Sequence, residues 1–402
     1  MTRGSILEYM AAIRERYFGG AKKEKTQILD EFTKVTGQHR KSAIRLLHRS
    51  KRPKLAKRQG RRPQYSAAAV RALKVAWEVE GCICGKRLKP FLPELIPVLR
   101  RHGELGIIAP VEAELCRMSA STIDRLSRPW RRLERPRGFS TTKPGSLLKK
   151  GIPIRTFADW QENRPGFLEA DLVAHCGDST GGFFLNTLST VDVFTGWSEC
   201  VGVWGKGQDR VGGAIHEVQR RLPFPLLGLD SDNGSEFINE NLLSYCRRNN
   251  ITFTRARSNK KNDSCYVEQK NWTAVRQVIG YDRYSSRVAL ECLNRIYLIQ
   301  RLYVNFFQPV MKLVSKTRDG AKVHKVYDLP RTPYQRLLEA GVLSESKRQE
   351  LATIYHGLNP ALLKRQLEDH VERLQALKER PAPAAPPKSA ERSPKVTLLV
   401  TQ

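Results

Sequence analysis

Residues 227–237 read LGLDSDNGSEF, and this stretch decides how the chain around it is interpreted. The apolar run that leads into it predicts a buried strand, and Asn-Gly is a strong signal for a tight turn. Two aspartates, Asp230 and Asp232, stand where the strand stops. Because residues two apart in a strand lie on the same face, both carboxylates point the same way. The stretch is therefore either a plain turn or a strand end that holds carboxylates for chemistry.

The sequence on both sides of this stretch predicts an α/β domain. From residue 166 onward the sequence predicts three strands that follow one another in a meander: GFLEADLVAH, GFFLNTLSTVDV and WSECVGVW. Apolar residues at helical spacing then predict helices that alternate with two further strands, PLLGLDSD and ITFTRA. Together these elements predict a mixed five-stranded sheet with flanking helices.

Three carboxylates lie at positions that phosphoryl-transfer chemistry would use. Asp171 is inside the first strand, Asp232 ends the fourth, and Glu268 lies one turn into a helix that follows a basic loop. An aspartate is costly to bury unless something neutralises it, and Mg²⁺ prefers oxygen ligands. Two such ions about 3.5–4 Å apart stabilise the attacking and leaving oxygens together. Taken singly, each residue also fits another role: a turn for Asp232, a surface helix position for Glu268, and a buried ion pair for Asp171.

Four pieces in chain order, EADLVAHC, STVDVFTGW, DSDNGSEF and YVEQKNW, resemble the catalytic core of bacterial insertion-sequence transposases and retroviral integrases, the D,D-35-E family. The interval matches, since 268 − 232 = 36 leaves thirty-five residues between Asp232 and Glu268. The resemblance covers residues 161–310 and implies an RNase H-like fold. It also implies that Asp171, Asp232 and Glu268 are catalytic and ligate two Mg²⁺ ions, or Mn²⁺ in their place.

The matched DSDNGSEF motif supplies further candidates around the three carboxylates. Asp230, Asn233 and Glu236 are expected to support the site, by orienting the loop or by touching DNA. For Asp230 two roles stay open, a supporting carboxylate or a substitute metal ligand, because it shares the strand face of Asp232.

The sequence departs from the retroviral relatives in two respects. It lacks their N-terminal His/Cys zinc motif, so no structural zinc is expected. Those relatives place lysines four and seven residues after the glutamate for DNA contact, and here these positions are Trp272 and Val275. Lys270, Asn271 and Arg276 are expected to contact DNA instead.

The charge of the chain predicts a polyanionic partner. Its 402 residues carry a formal charge of +30, which favours nucleic acid. An anionic membrane surface is the competing partner, but no long apolar run supports it. We expect no signal peptide and no transmembrane helix, and, with the resemblance, a bacterial cytoplasmic protein associated with the nucleoid. The scattered cysteines indicate reduced thiols, and Cys82 and Cys84 fit helix ends better than a zinc site.

The N-terminal half predicts helical DNA-binding units. Residues 1–50 predict a helix-turn-helix in which Gly37 ends the second helix, with a plain helical hairpin as the alternative. The whole predicted order is a helix-turn-helix domain (1–50), a basic linker (51–66), a second helical or helix-turn-helix domain (67–128), a second basic linker (129–160), the RNase H-like core (161–310), a C-terminal helical region (311–380) and a disordered Pro/Ala-rich tail (381–402). The other expected DNA contacts are basic residues of these helices, linkers and loops: Arg40, Lys41, Arg45, Arg49, Arg61, Arg62, Lys260 and Lys261.

These features together predict a DNA transposase. It is expected to bind the inverted repeats of its element and target DNA, both double-stranded, and to catalyse metal-dependent cleavage and strand transfer as at least a dimer on DNA. Two alternatives stay open at this point. One is a non-catalytic DNA-binding regulator derived from a transposase, and the other is an RNase H-like nuclease.

Overall fold

A computed structural model describes residues 1–48, 64–131, 163–232, 234–256 and 265–379 of the chain. Met1–Gln64 form one compact unit, and Tyr65–Gln402 form a second. Several sequence predictions lie outside the described residues: Asn233, Arg49, Arg61, Arg62, Lys260, Lys261, most of both basic linkers and the tail at 381–402.

In its described part, the first unit consists of three helices around a small core. They are α1 (Arg3–Gly19), α2 (Lys22–Thr36) and α3 (Arg40–His48). Their apolar faces meet at Ile13, Tyr17, Ile28, Leu29, Phe32, Ala43 and Leu47. Gly37 ends α2 with φ +68°, a left-handed conformation that glycine adopts without steric cost. The predicted helix, glycine turn and short basic helix are therefore present.

Four further helices open the second unit. They are α4 (Ala67–Val79), α5 (Gly85–Arg101), α6 (Ala109–Arg117) and α7 (Ala120–Ser127). Ser119 caps α7, since its hydroxyl accepts a hydrogen bond from the Thr122 amide at 3.1 Å. The apolar side chains of these helices belong to the same buried core as those of the sheet. They therefore pack as part of the unit that contains the sheet.

A mixed five-stranded sheet forms the centre of the second unit. Its strands are β1 (Phe167–Ala174), β2 (Asn186–Asp192), β3 (Ser198–Val203), β4 (Gly228–Ser231) and β5 (Thr252–Arg255). The spatial order is β3-β2-β1-β4-β5. The first three strands are antiparallel neighbours, whereas β4 runs parallel to both β1 and β5. The predicted RNase H-like sheet with flanking helices, preceded by helical units, is confirmed.

The helices that flank the sheet follow the predicted order. They are α8 (Gln208–Arg221), α9 (Glu240–Arg248), α10 (Cys265–Lys270), α11 (Gln277–Ile279) and α12 (Arg287–Phe307). Asn271–Arg276 join α10 to α11 as a π-helical segment, in which the Gln277 amide bonds to the Trp272 carbonyl. Such wide turns are rare in proteins, and those that occur are often found at functional sites. In the ranges that the structure describes, no helix is both long and apolar enough to cross a bilayer.

The predicted C-terminal helical region is only partly helical. It begins with an antiparallel hairpin, β6 (Leu313–Asp319) and β7 (Lys322–Tyr327), before α13 (Pro333–Glu339), α14 (Glu345–Gly357) and α15 (Pro360–Ala376). The prediction was wrong for the hairpin because its strands bury neither face. They therefore lack the alternation of apolar and polar residues by which a strand is identified.

Candidate active site

The register of the sheet brings Asp171 and Asp232 side by side. The parallel pairing of β1 with β4 runs to Ala170 opposite Ser231, so the two aspartates occupy the next position on each strand. Neighbouring strands lie about 4.8 Å apart, and paired residues share a face of the sheet. Two residues separated by sixty residues of sequence, 171 + 61 = 232, thus follow the last paired residues of two neighbouring strands.

The turn after β4 fixes the side chain of Asp232. Its Oδ1 accepts a hydrogen bond from the Gly234 amide at 2.9 Å, so the aspartate folds back onto its own turn. The carboxylate of Glu236, which is buried, occupies the space beside Gly234, and a Cβ there would lie 2.7–2.8 Å from it. The turn at Gly234 therefore holds the carboxylate of Asp232 and packs against the carboxylate of Glu236.

Asp171 is held by contacts from two elements. Its Oδ1 accepts from the Leu172 amide at 2.8 Å, and its Oδ2 accepts from Asn271 Nδ2 at 2.5 Å. Burial raises the pKa of Asp171, against the lowering effect of these hydrogen bonds and of the nearby Arg276. Asn271 comes three residues after Glu268, and residues at this spacing are neighbours on a helix face. Glu268 therefore lies about one helical turn before the residue that contacts Asp171.

A buried glutamate holds the start of α10 against the sheet. Glu169 is fully buried in β1, and its Oε2 accepts a hydrogen bond from the Val267 amide at 2.8 Å. Burial raises the pKa of Glu169 to about 8, and the nearby charges of Asp230 and Glu268 raise it further against the Val267 hydrogen bond. Glu169 was not among the predicted site residues, although its position two residues before Asp171 puts both on one face of β1.

Asp230 lies inside the sheet rather than at its edge. It is buried, is the register partner of Glu169, and accepts a hydrogen bond from Thr254 Oγ1 at 2.5 Å. Asp232, by contrast, is half-buried beyond the last paired residue of β4. Asp232 therefore follows the last paired residue of β4, whereas Asp230 is buried within the sheet.

The predicted DNA contacts after Glu268 are engaged within the fold. Lys270 is only 8% exposed, and burial lowers its pKa to about 8. Arg276 donates from Nη2 to the Ala174 carbonyl at 3.0 Å and lies over the Tyr281 ring, while Asn271 bonds to Asp171. Because α10 packs on the sheet, the side chain of Lys270 is turned toward the core, and its contact with DNA stays a prediction.

The basic helix α3 presents part of its predicted DNA-binding face. Lys41 and Arg45 are exposed. Arg40 is half-buried and forms an ion pair with Asp30 of α2. Two of these three cations are therefore accessible to a ligand on this face.

The three carboxylates have the donor chemistry of a Mg²⁺ site. They offer only oxygen, which this cation prefers, and two of them directly follow the last paired residues of β1 and β4, Ala170 and Ser231. Glu268 lies on the exposed side of α10, and among the described residues no three acidic, histidine or cysteine side chains converge into a preformed metal cage. The donor chemistry of the three carboxylates therefore fits the cation.

The chain resembles several known proteins to different degrees. No family model matches it. The catalytic core of BIV integrase is 16% identical, with a TM-score of 0.30 over 44% of this chain and 95% of that chain. The HTLV-2 integrase core, solved in complex with magnesium in a dimeric form, is 15% identical, with a TM-score of 0.28 over 37% of this chain and 91% of that chain.

One curated relative covers most of the sequence. The uncharacterized protein y4rM of Sinorhizobium fredii (strain NBRC 101917 / NGR234) is 42% identical over 330 residues. The match spans 82% of this chain and 94% of that protein. The chain therefore belongs to the same protein family as y4rM.

Proposed function

We propose that the protein is a DNA transposase that cleaves element ends and joins them to target DNA through Asp171, Asp232 and Glu268. The observation that carries this proposal is the register of β1 and β4, in which Asp171 and Asp232 directly follow the paired residues Ala170 and Ser231. The hydrogen bond from Asn271 to Asp171 supports the proposal from the side of the segment that continues the helix of Glu268. The thirty-five-residue interval from Asp232 to Glu268 agrees with this assignment.

The three carboxylates would hold two Mg²⁺ ions, which supply charge stabilisation to the attacking and leaving oxygens of phosphoryl transfer. The work of the protein is then to place oxygen ligands before DNA arrives. Backbone and side-chain donors fix Asp171, and the Gly234 amide fixes Asp232. Positioning and electrostatic stabilisation account for most of the catalysis in such reactions, so no covalent protein intermediate is required.

The proposed substrate is double-stranded DNA. A formal charge of +30 favours a polyanion, and the exposed Lys41 and Arg45 on α3 make this helix our candidate for binding the element ends. Asp230, Asn233 and Glu236 remain proposed supporting residues. Because transposition joins two ends, we propose that the protein acts as at least a dimer on DNA.

The test is cleavage and joining by the purified full chain. The substrate is a DNA fragment that contains the gene with its flanking sequence, incubated with a target plasmid and Mg²⁺. We expect Asp171→Asn, Asp232→Asn and Glu268→Gln to lower activity by at least about 100-fold. Asp178→Asn and Glu291→Gln are matched controls, because both carboxylates are exposed away from the site.

Three outcomes separate the candidate functions. Loss of activity in the three site variants, with full activity in both controls, supports the transposase. Binding of DNA without cleavage or joining by the unaltered chain contradicts it and favours a regulator. Hydrolysis of DNA or of RNA–DNA hybrids without any joining favours an RNase H-like nuclease.

A further inference from the structure

The hairpin of β6 and β7 is exposed to an unusual extent. Every residue from Val314 to Tyr327 is exposed, on both faces of the two strands. A two-stranded hairpin is marginally stable by itself and normally packs one face on a core. Packing on a core therefore does not explain why this hairpin forms. A ligand bound to one of its faces would supply the missing contacts.

The base of the hairpin is tied to the second unit. The Lys312 amide donates to Asp328 Oδ1 at 2.7 Å, and the Asp328 amide donates to the Lys312 carbonyl at 3.0 Å. Asp328 Oδ2 pairs with Arg336 Nη1 at 2.7 Å. The Lys312 ammonium donates to the Phe194 carbonyl and lies 4.7 Å from the centre of the Phe194 ring. The hairpin thus projects from a fixed base.

The register of the hairpin collects its positive charge on one face. Lys316 stands directly opposite Lys325, and Arg318 opposite Val323 follows two residues along on the same face. Like charges directly opposite each other destabilise a sheet. In the part of the chain that the structure describes, none of these three cations forms an ion pair. An anionic ligand on this face would remove the repulsion.

The other face of the hairpin has a different character. It carries Thr317 opposite His324 and Ser315 opposite Val326, with the oppositely charged pair Asp319 and Lys322 at the tip. The lysine on this face is opposite an aspartate, so its charge is balanced. The residues of this face are Ser315, Thr317, Asp319, Lys322, His324 and Val326. The charge asymmetry between the two faces therefore defines one binding face.

We propose that Lys316, Arg318 and Lys325 bind the phosphate backbone of duplex DNA, with the hairpin lying along the major groove. This groove, about 12 Å wide, admits a two-stranded β-ribbon. The duplex carries one negative charge per about 1.7 Å of its axis, so a face with three cations meets several phosphates at once. The inference rests on the proposed function only for the identity of the ligand, since none of the three cations is among the proposed catalytic residues.

The test measures binding without catalysis. The full chain is titrated onto a fluorescent 30-base-pair duplex in EDTA, at several salt concentrations between about 50 and 200 mM. For the variant Lys316→Ala/Arg318→Ala/Lys325→Ala, we expect the slope of log affinity against log salt to become shallower by about 2.7, or 0.9 for each lost phosphate contact. Exchange of these cations for one another, as Lys316→Arg/Arg318→Lys/Lys325→Arg, keeps the original slope.

Two control variants separate the binding face from general effects. Thr317→Ala/His324→Ala alters the opposite face of the same hairpin and should leave the slope unchanged. Lys74→Ala/Lys347→Ala/Lys364→Ala removes the same charge from surface ion pairs and should also leave it unchanged. Circular dichroism and thermal melting of each variant report whether the chain still folds.

An unchanged slope in a folded triple variant would overturn the inference. So would a triple variant that loses binding to phosphatidylserine vesicles while it keeps its DNA slope, because the partner would then be a membrane. The result is independent of catalysis. Full activity of Asp232→Asn would refute the proposed function and leave the salt slope of the hairpin variant as informative as before.

Discussion

Replacement of Glu169 gives a sharp test of how α10 is positioned. In Glu169→Ala, the buried Val267 amide loses its carboxylate acceptor. Because its pKa of about 8 leaves Glu169 mostly protonated at pH 7, the relevant cost is that of a buried donor left unpaired, about 1–3 kcal/mol. We therefore expect the free energy of unfolding to fall by about 2 kcal/mol. Glu169→Gln keeps a neutral side chain with an oxygen acceptor, so its stability should stay within about 1 kcal/mol of the wild type.

The same substitution should affect catalysis by displacing Glu268. Without the anchor, the first turn of α10 is free to move, and a misplacement of about 1 Å costs roughly 100-fold in rate. We expect Glu169→Ala to lower kcat by about that factor with little change in KM for DNA, because its contacts lie beneath the site. Glu169→Gln should restore most of the activity.

The assays are urea unfolding followed by tryptophan fluorescence, and steady-state strand transfer under conditions in which all variants are folded. Glu80→Ala is the matched control, since Glu80 is also a fully buried carboxylate but lies at the end of α4. It should lose stability without losing kcat. Wild-type kcat in Glu169→Ala would refute the positioning role, and equal damage in Glu169→Gln would refute the acceptor role.

Three further predictions concern stability and protonation. Burial lowers the pKa of His175 to about 3, so its NMR imidazole signals should stay constant between about pH 8 and pH 5, and titration near the ordinary value of about 6.5 would contradict this. Hydrogen bonds from Arg365 and Asn359 lower the pKa of Glu104 to about 2. The contribution of the ionised Glu104 to the free energy of unfolding is therefore complete above about pH 4.5 and is lost as the pH falls toward 2. Glu104→Gln should therefore cost about 1 kcal/mol at pH 7, a value reduced for solvent screening, and nothing near pH 2 in urea unfolding; a difference that persists there would refute the linkage. The buried Glu199 accepts from Arg301 Nε at 3.0 and 2.8 Å, so Glu199→Ala should lower the free energy of unfolding by about 3–5 kcal/mol, and a loss below 1 kcal/mol would show that the pair is not essential.

Local signals in the sequence predicted much of the fold. Apolar periodicity identified the strands of the main sheet, and Gly37 marked the end of α2. The TG sequence after β2 is a turn signal of the same kind, and Asp192 Oδ2 accepts from both the amide and the hydroxyl of Thr195 there at 2.6 Å. In each case the information lies within a few residues of chain, where backbone geometry and side-chain hydrogen bonds act directly.

Features that depend on tertiary packing were harder to predict. The role of Glu169 requires the pairing of β1 with β4 and the approach of α10, which no local pattern encodes. Lys270 has the charge of a DNA contact, but the packing of α10 on the sheet buries it. The hairpin at 313–327 has no buried face, so the periodicity that identifies other strands is absent.

Strand transfer by the Asp232→Asn variant tests the proposed transposase function most directly. A pre-cut duplex from the end of the element is incubated with plasmid, Mg²⁺ and the full chain, and joined product is quantified against the wild type and Asp178→Asn. Because the amide keeps the size of the side chain and its oxygen acceptor but loses the charge, folding and DNA binding should be preserved. We predict that joining falls by at least about 100-fold in Asp232→Asn and is unchanged in Asp178→Asn. Joining at the wild-type rate would contradict it.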